Sequence, residues 1–365
     1  MLQLYTSSRI ATRLCSERSV GSSAGSGIHR AGAAYPRATS PRCIGRGKCN
    51  ARITVSAKHG LLLCRKVMST MQIRKAVIPA AGLGIRSLPA TKVVPKELLP
   101  IAGRPLIQYA MEEAAASGIE TVVLVLGPRK ELIEQYFSRD QALEETLTTL
   151  GYDDEMAEIR RLAELVEIKT VWQKVPTGLA SAIALAEPVI QNEPFAVILP
   201  DALIDAGVPC TRQLMDCYHA NPGCVIATQA VEPHEVERFG MVETEVLVSS
   251  DARVSRVTRL LERPAPGMTK SKTGIFGRYV LRPGIFNCIS RLSPGRGGEF
   301  QLTDALSIYS QSAPVYAYQF IGEHFDVGSK LGFVQATLRY ALRESATAAP
   351  ISDYLARLEL PIAAR

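Results

Sequence analysis

The stretch Ala80-Ala81-Gly82-Leu83-Gly84-Ile85-Arg86 places two glycines and a guanidinium directly after a short apolar run. Gly82 and Gly84 let the backbone turn sharply and approach a ligand closely. Backbone N–H groups in such a loop can cradle phosphate oxygens. Arg86 adds a forked cation whose shape matches phosphate. Lys92 and Lys96 supply further positive charge shortly afterwards, Lys96 within the pair Pro95-Lys96. The ligand chemistry this suits is a polyphosphate anion. The loop lacks the third glycine of the dinucleotide fingerprint and the Gly-Lys-Ser/Thr ending of a P-loop, so those two nucleotide folds are disfavoured. On the glycines alone, a tight strand-to-loop turn carrying surface cations accounts for the stretch equally well.

Two acids stand out by their position in the sequence. Asp201 follows the apolar run Phe195-Ala196-Val197-Ile198-Leu199-Pro200. The C-terminal end of a buried parallel strand is where open α/β sheets bind ligands. A helix cap or a turn is the alternative role for such an aspartate. Asp326, in His324-Phe325-Asp326-Val327-Gly328, could equally cap the helix that follows it. His219, His234 and His324 form no metal-ligand pattern by spacing, and no Cys-x-x-Cys pair or Ser-His-Asp arrangement is legible.

Elements that could position these groups begin at residue 74. Lys75–Ala80 and Thr121–Leu126 read as buried strands, with a helix over 105–117 between them, Pro105 in its first turn and Gly118 ending it. Residues 129–138 read as helical, and a charged stretch over 140–166 as further helix broken near Gly151. A strand over 168–173, a helix over 178–187 and a strand over 195–199 follow. Continuous apolar strands alternating with helices predict an α/β fold with a mostly parallel sheet. Further strands are expected over 225–231, 241–243, 254–260, 275–281 and 315–321. Helices are expected over 283–291, 302–311 and 329–343, then a weakly amphipathic tail over 346–365.

Charge divides the chain. Residues 1–70 hold twelve Lys or Arg and one acid, Glu17, a net +11; the +7 of the whole 365-residue chain leaves −4 for residues 71–365. The body thus shows no basic footprint for nucleic acid. No apolar run reaches the ~18–20 residues of a membrane helix. The leader is rich in Arg, Ser, Gly and Ala and has little to bury, so it is expected to be disordered. It reads either as an organelle transit peptide or as sequence upstream of a true start at Met68 or Met71. The strand pattern beginning just after Met71, and four scattered cysteines in the leader, favour the second reading. Cys210, Cys217, Cys224 and Cys288 in the body are expected as reduced, buried thiols.

Taken together, Ala81–Arg86, then Leu88-Pro89-Ala90-Thr91-Lys92, then Pro95-Lys96-Glu97-Leu98-Leu99-Pro100 resemble the signature of nucleotidyltransferases that make sugar nucleotides. The resemblance is closest to bacterial UTP–glucose-1-phosphate uridylyltransferases and runs from about residue 73 to about residue 343. It implies a Rossmann-like three-layer fold with a smaller sugar-binding β portion. It implies UTP and glucose 1-phosphate as substrates, Mg²⁺ as cofactor, a cytoplasmic homo-oligomer (organellar if the leader is a transit peptide), and neither nucleic acid nor membrane as partner. The helical stretch 137–166 resembles an insertion of the uridylyltransferases that related thymidylyltransferases lack.

By the same resemblance, Ala81, Gly82, Gly84 and Arg86 hold the triphosphate and Lys96 lies beside the reacting phosphates. Asp201 and Asp326 are the metal-side acids, and Arg86, Lys96 and Asp201 form the catalytic set. Gln173 and Gly178 read uracil, whose edge needs both a donor and an acceptor. Gly240, Glu262 and Arg263 take the sugar phosphate, with the stretch 273–279 also on the sugar side and Thr303 and Asp304 as supporting helix-start residues. Three positions depart from the family pattern: Ile85 stands for a threonine, Arg263 for a lysine, and Ala180-Ser181 for a glycine-histidine pair.

Overall fold

The computed structural model describes residues 72–247 and 251–358; the leader expected over residues 1–70 lies outside the described residues. Strand β1 (Lys75–Ala80) leads through a small hairpin, β2 (Pro100–Ile101) and β3 (Arg104–Pro105), into α1 (Leu106–Ala116) and β4 (Thr121–Leu126). Then come α2 (Glu131–Tyr136), α3 (Gln141–Leu150), α4 (Asp153–Ala163), β5 (Glu167–Trp172), α5 (Leu179–Ala184), α6 (Glu187–Ile190) and β6 (Phe195–Ile198). The second half contains β7 (Ala202–Asp205), α7 (Cys210–Ala220), β8 (Cys224–Ala230), β9 (Gly240–Val246), β10 (Val254–Glu262) and β11 (Thr273–Leu281). It ends with α8 (Gly284–Ile289), α9 (Leu302–Ser310), β12 (Val315–Gln319), β13 (Glu323–Asp326), α10 (Lys330–Ala341) and α11 (Ser345–Arg357).

Nine strands form one sheet in the order β5-β4-β1-β6-β11-β8-β12-β10-β9. The first four are mutually parallel, as expected from their alternation with helices. Beyond β6 the expected parallel arrangement gives way to a mixed one. β11 is antiparallel to both β6 and β8, and β10 to both β12 and β9; only β8 and β12 pair in parallel there. Part of the cause is the connections: among the described residues no α-helix separates β9, β10 and β11, and chain reversals without a crossover give the antiparallel pairs of β9 with β10 and β11.

Alternation within each strand divides the core into two layers. Ala76, Ile78 and Ala80 of β1, with Val122, Leu124 and Leu126 of β4, pack against Ile107, Met111 and Ala114 of α1 and Leu214 of α7. Val77, Val123 and Val125 face the other way, onto Ala180 and Ile183 of α5 and onto α8 and α9. The sheet is thus covered on both faces, which explains the unbroken apolar runs. Each fully buried Val, Leu or Ile contributes on the order of 1.5–3 kcal/mol, so a polar residue within these runs would be costly.

The charged stretch after α2 is helical and turns at Gly151, whose φ of 78° suits glycine. Glu144 fastens α3 to α4: hydrogen bonds from Arg139 at 2.5 Å and Arg160 at 2.7 Å hold its carboxyl down to about 2. Helix α11 buries none of its side chains. The four described cysteines are buried and free of disulfides.

Candidate active site

The four parallel strands end on one side of the sheet; the ends of β1, β5 and β6 deliver parts of a cleft of about 660 Å³, and the end of β4 backs it. From β1 comes the glycine loop. Gly84 has a φ of 69°, and its carbonyl accepts a 2.8 Å hydrogen bond from Thr91 Oγ1. A Cβ on Gly84 would stand 3.1 Å from Thr91 and 3.2 Å from Lys96, so the loop folds back tightly onto the segment carrying the lysine. From β4 comes Gly127, where a Cβ would lie 2.7 Å from the Ala81 carbonyl; glycine permits this close backing of the loop.

Lys96 reaches across to the end of β6, its Nζ donating to Asp201 Oδ2 at 2.7 Å. Burial pulls the Lys96 ammonium down, but Asp201 and Glu97 outweigh it, and its pKa ends above the usual value. Burial likewise pushes Asp201 up, while Lys96 and Arg86 draw it below the usual carboxylate range. Both groups are held in their charged forms. The turn carrying Lys96 is anchored by Glu97, which is fully buried and accepts two 2.8 Å bonds from Lys130. Burial dominates this pair, pushing Glu97 up and Lys130 down.

Asp326 arrives from a distant part of the sequence through a feature the sequence did not reveal. Strand β13 pairs antiparallel with β7, with Asp326 opposite Ala202 and Phe325 opposite Leu203. Phe325, Val327 and Leu203 pack with Ile101, Leu106 and Ala336 in a separate small core beneath the site. Arg86 then lies between the two acids, 3.3 Å from Asp326 and 4.0 Å from Asp201. Gly328 makes room for its guanidinium: a Cβ there would lie 2.3 Å from Arg86 Nη2. Arg238, which sequence reasoning missed, also donates to Asp326, at 2.9 Å.

Gln173 follows β5 directly and is 6% exposed. Its Nε2 donates to Ser181 Oγ at 2.9 Å; Ser181 also receives Thr177 Oγ1 at 2.8 Å and donates to the Gly178 carbonyl at 2.8 Å. Ser181, at one of the departing positions, is therefore the hub that orients Gln173. Gly178 caps α5 with a φ of 111°, and a Cβ there would meet Phe300 O at 2.6 Å and Phe300 N at 2.7 Å. The glycine is required by this close passage as well as lining the cleft.

On the far side, β9 and β10 place Gly240 directly opposite Glu262. Thr303, in the first turn of α9, donates to Glu262 Oε2 at 2.7 Å. A Cβ on Gly240 would lie 3.3 Å from the same carboxylate oxygen. Arg263 adopts a φ of 42°, a conformation costly for a residue with a side chain, and its Nε is 3.5 Å from Glu262 Oε1. The expected catalytic, nucleotide, sugar-phosphate and metal-side residues, and Thr303, line this one cleft; Asp304 does not. In the stretch 273–279, however, Arg278 is 1% exposed and faces Glu113 at 2.6 Å rather than the cleft; Ile275, Phe276, Gly277 and Tyr279 line it instead. The signal was available: an arginine inside an otherwise apolar strand must be fully paired.

Among the described residues, no three His, Cys, Asp or Glu side chains cluster as a metal cage, and no helix is long and apolar enough to cross a membrane.

Residues 75–342 match the nucleotidyl transferase family. Among curated proteins, UTP–glucose-1-phosphate uridylyltransferase 1 of Staphylococcus saprophyticus is 42% identical over 285 residues, covering 78% of this chain and 98% of the relative. The UTP–glucose-1-phosphate uridylyltransferase of Staphylococcus haemolyticus is 42% identical over 273 residues, covering 75% and 94%. A UTP-bound UGPase from Acinetobacter baumannii superposes with a TM-score of 0.72 at 34% identity, over 79% of this chain and all of that one. A UDP-glucose pyrophosphorylase in complex with UDP-glucose gives 0.69 at 35% identity, over 75% and 100%. With the family match spanning the whole sheet and the cleft, the chain belongs to the nucleotidyl transferase family and is similar over most of its length to that family's UTP–glucose-1-phosphate uridylyltransferases.

Proposed function

We propose that the protein transfers UMP from UTP to glucose 1-phosphate, forming UDP-glucose and pyrophosphate. The observation that carries this reading is the Lys96–Asp201 contact, set between the glycine loop and the Gly240–Glu262 pair. A phosphate oxygen of the sugar phosphate attacks the α-phosphorus of UTP. The bond from that phosphorus to the bridging oxygen breaks, and pyrophosphate carries away the electron pair. Two anions must meet, so the enzyme chiefly positions groups and neutralises charge.

In this reading the 81–86 backbone and Arg86 cradle the β- and γ-phosphates. Lys96, kept charged by Asp201, stabilises the α-phosphoryl oxygens as charge develops. The Gln173 amide, steadied through Nε2 by Ser181, offers Oε1 to the uracil N3–H. Glu262, oriented by Thr303, accepts hydrogen bonds from sugar hydroxyls, and Arg263 meets the sugar phosphate.

Asp201 and Asp326 suit a divalent cation such as Mg²⁺. Their donors are hard carboxylate oxygens, and they already flank one cationic group, the Arg86 guanidinium. Mg²⁺ takes one or two carboxylates and fills its shell with phosphate and water, so a third acid is unnecessary. When bound it would neutralise phosphate charge. Pyrophosphate release requiring both UTP and glucose 1-phosphate tests the whole reading.

A further inference from the structure

Arg278 sits mid-strand in β11, 1% exposed, with its side chain turned away from the cleft. Its Nη1 donates to the Leu199 carbonyl at 2.8 Å and to the Ala202 carbonyl at 2.6 Å. Those two carbonyls bracket Pro200 and Asp201. The rest of the guanidinium is clamped by Glu113 of α1, through Nη2 at 2.6 Å and Nε at 3.1 Å. Glu113 is fixed in turn by the backbone N–H of Thr211 at 3.0 Å and its hydroxyl at 2.6 Å, in the first turn of α7. Gly277, with a φ of 63°, lets β11 press against the same turn; a Cβ there would lie 2.9 Å from Ala202 Cβ and 3.1 Å from Leu199 Cβ.

We propose that Arg278 is a positioning residue that sets the Asp201 carboxylate by gripping both shoulders of its turn. The proposal rests on the reading that Asp201 takes part in the transfer. A buried ion pair is a poor device for stability, since two well-packed apolar residues often serve as well or better. What apolar residues lack is a rigid fork that can hold a carboxylate and two carbonyls at once, and a lysine head group cannot reproduce that geometry. The guanidinium stays charged: burial disfavours it, but Glu113 more than compensates, and Glu113 itself is held below the usual carboxylate range despite its burial. The turn carrying Asp201 is therefore tied to α1, α7 and β11 together, which a hydrogen bond from Lys96 alone would not achieve.

The test uses the full chain carrying Arg278→Lys and Arg278→Met, with Glu113→Gln as the variant that keeps the arginine if Arg278→Met does not fold. A small displacement of a reacting group costs heavily, so kcat is expected to fall roughly tenfold to a hundredfold in Arg278→Met. Arg278→Lys should recover part of that loss, and KM for glucose 1-phosphate should stay within about twofold. Amide hydrogen exchange should quicken at residues 199–203 while β1 and β4 stay protected. A folded Arg278→Met or Glu113→Gln variant with kcat near wild type overturns the proposal. So does exchange that quickens evenly across the sheet, which marks a purely structural role. An Asp201→Asn variant serves as the control: full activity there sinks the reading of Asp201 itself, separately from any result at Arg278.

Discussion

Lys96 and Asp201 meet at 2.7 Å although they belong to different segments, one following the glycine loop and the other following β6. Each favours the charged form of the other, and each sits on a turn braced from behind, by Lys130 through Glu97 and by Arg278. This arrangement puts a fixed cation and a fixed anion at the carboxyl ends of the parallel strands, the position at which open α/β sheets bind ligands.

Removing the cation should be felt in chemistry more than in substrate capture. Lys96→Met is expected to lower kcat by roughly 10²–10³, the range for loss of one charge-stabilising donor. Steady-state kinetics with both substrates varied checks this. A variant with normal kcat would exclude Lys96 from the reacting centre.

Ser181 should matter to the nucleotide alone. Ser181→Ala leaves Gln173 Nε2 without its 2.9 Å partner and frees the amide to rotate. A hydrogen bond of this kind is worth about 1 kcal/mol, so KM for UTP should rise about fivefold, with KM for glucose 1-phosphate unchanged. Equal rises in both constants would contradict the assignment of Gln173 to the base.

Thr303 should matter to the sugar alone. Thr303→Val keeps the shape of the first turn of α9 but removes the 2.7 Å bond to Glu262. KM for glucose 1-phosphate is expected to rise about three- to tenfold, with UTP affinity measured by calorimetry unaltered. A change confined to UTP would place Glu262 on the wrong side of the cleft.

His324 should make stability depend on pH. Burial and the nearby Arg278 push its pKa from 6.5 down to about 4, against the opposing pull of Asp326 and Asp201. The neutral ring packs on Phe276 at 4.6 Å. Above pH 6.5 the ring is neutral in both folded and unfolded chains, so the stabilising difference is fully present. As pH falls from 6.5 towards 4 the unfolded chain takes up the proton first, and stability is lost. The loss specific to this group is roughly 3–4 kcal/mol at most. Urea unfolding of wild type and His324→Phe at several pH values measures it. Parallel pH profiles for the two proteins would show that His324 plays no such part.

The sequence made some of this legible and hid the rest for identifiable reasons. β1, β4 and β6 were clear because both faces are buried and their runs are apolar throughout. The break at Gly151 was clear because only a left-handed residue was needed there. The pairing of β7 with β13 was not, because two four-residue strands carry too little periodicity and their register depends on a remote core. The convergence of Asp326 on Asp201 is therefore an expectation only of the family resemblance. Arg238 looked like one charge among several in a polar segment, and nothing local marks its reach to Asp326. The extent of the parallel sheet was overread, because β9, β10 and β11 have the composition of strands but not the helices that parallel pairing needs.

The most direct measurement is pyrophosphate release by the full chain with Mg²⁺ and glucose 1-phosphate, comparing UTP with dTTP, GTP, ATP and CTP. The account expects release that requires UTP, the sugar phosphate and the metal together, and that disappears in Lys96→Met and Asp201→Asn. Release with a different nucleotide would contradict the base assignment at Gln173. No release with any pair, from a folded protein that still binds UTP, would contradict the proposed reaction itself.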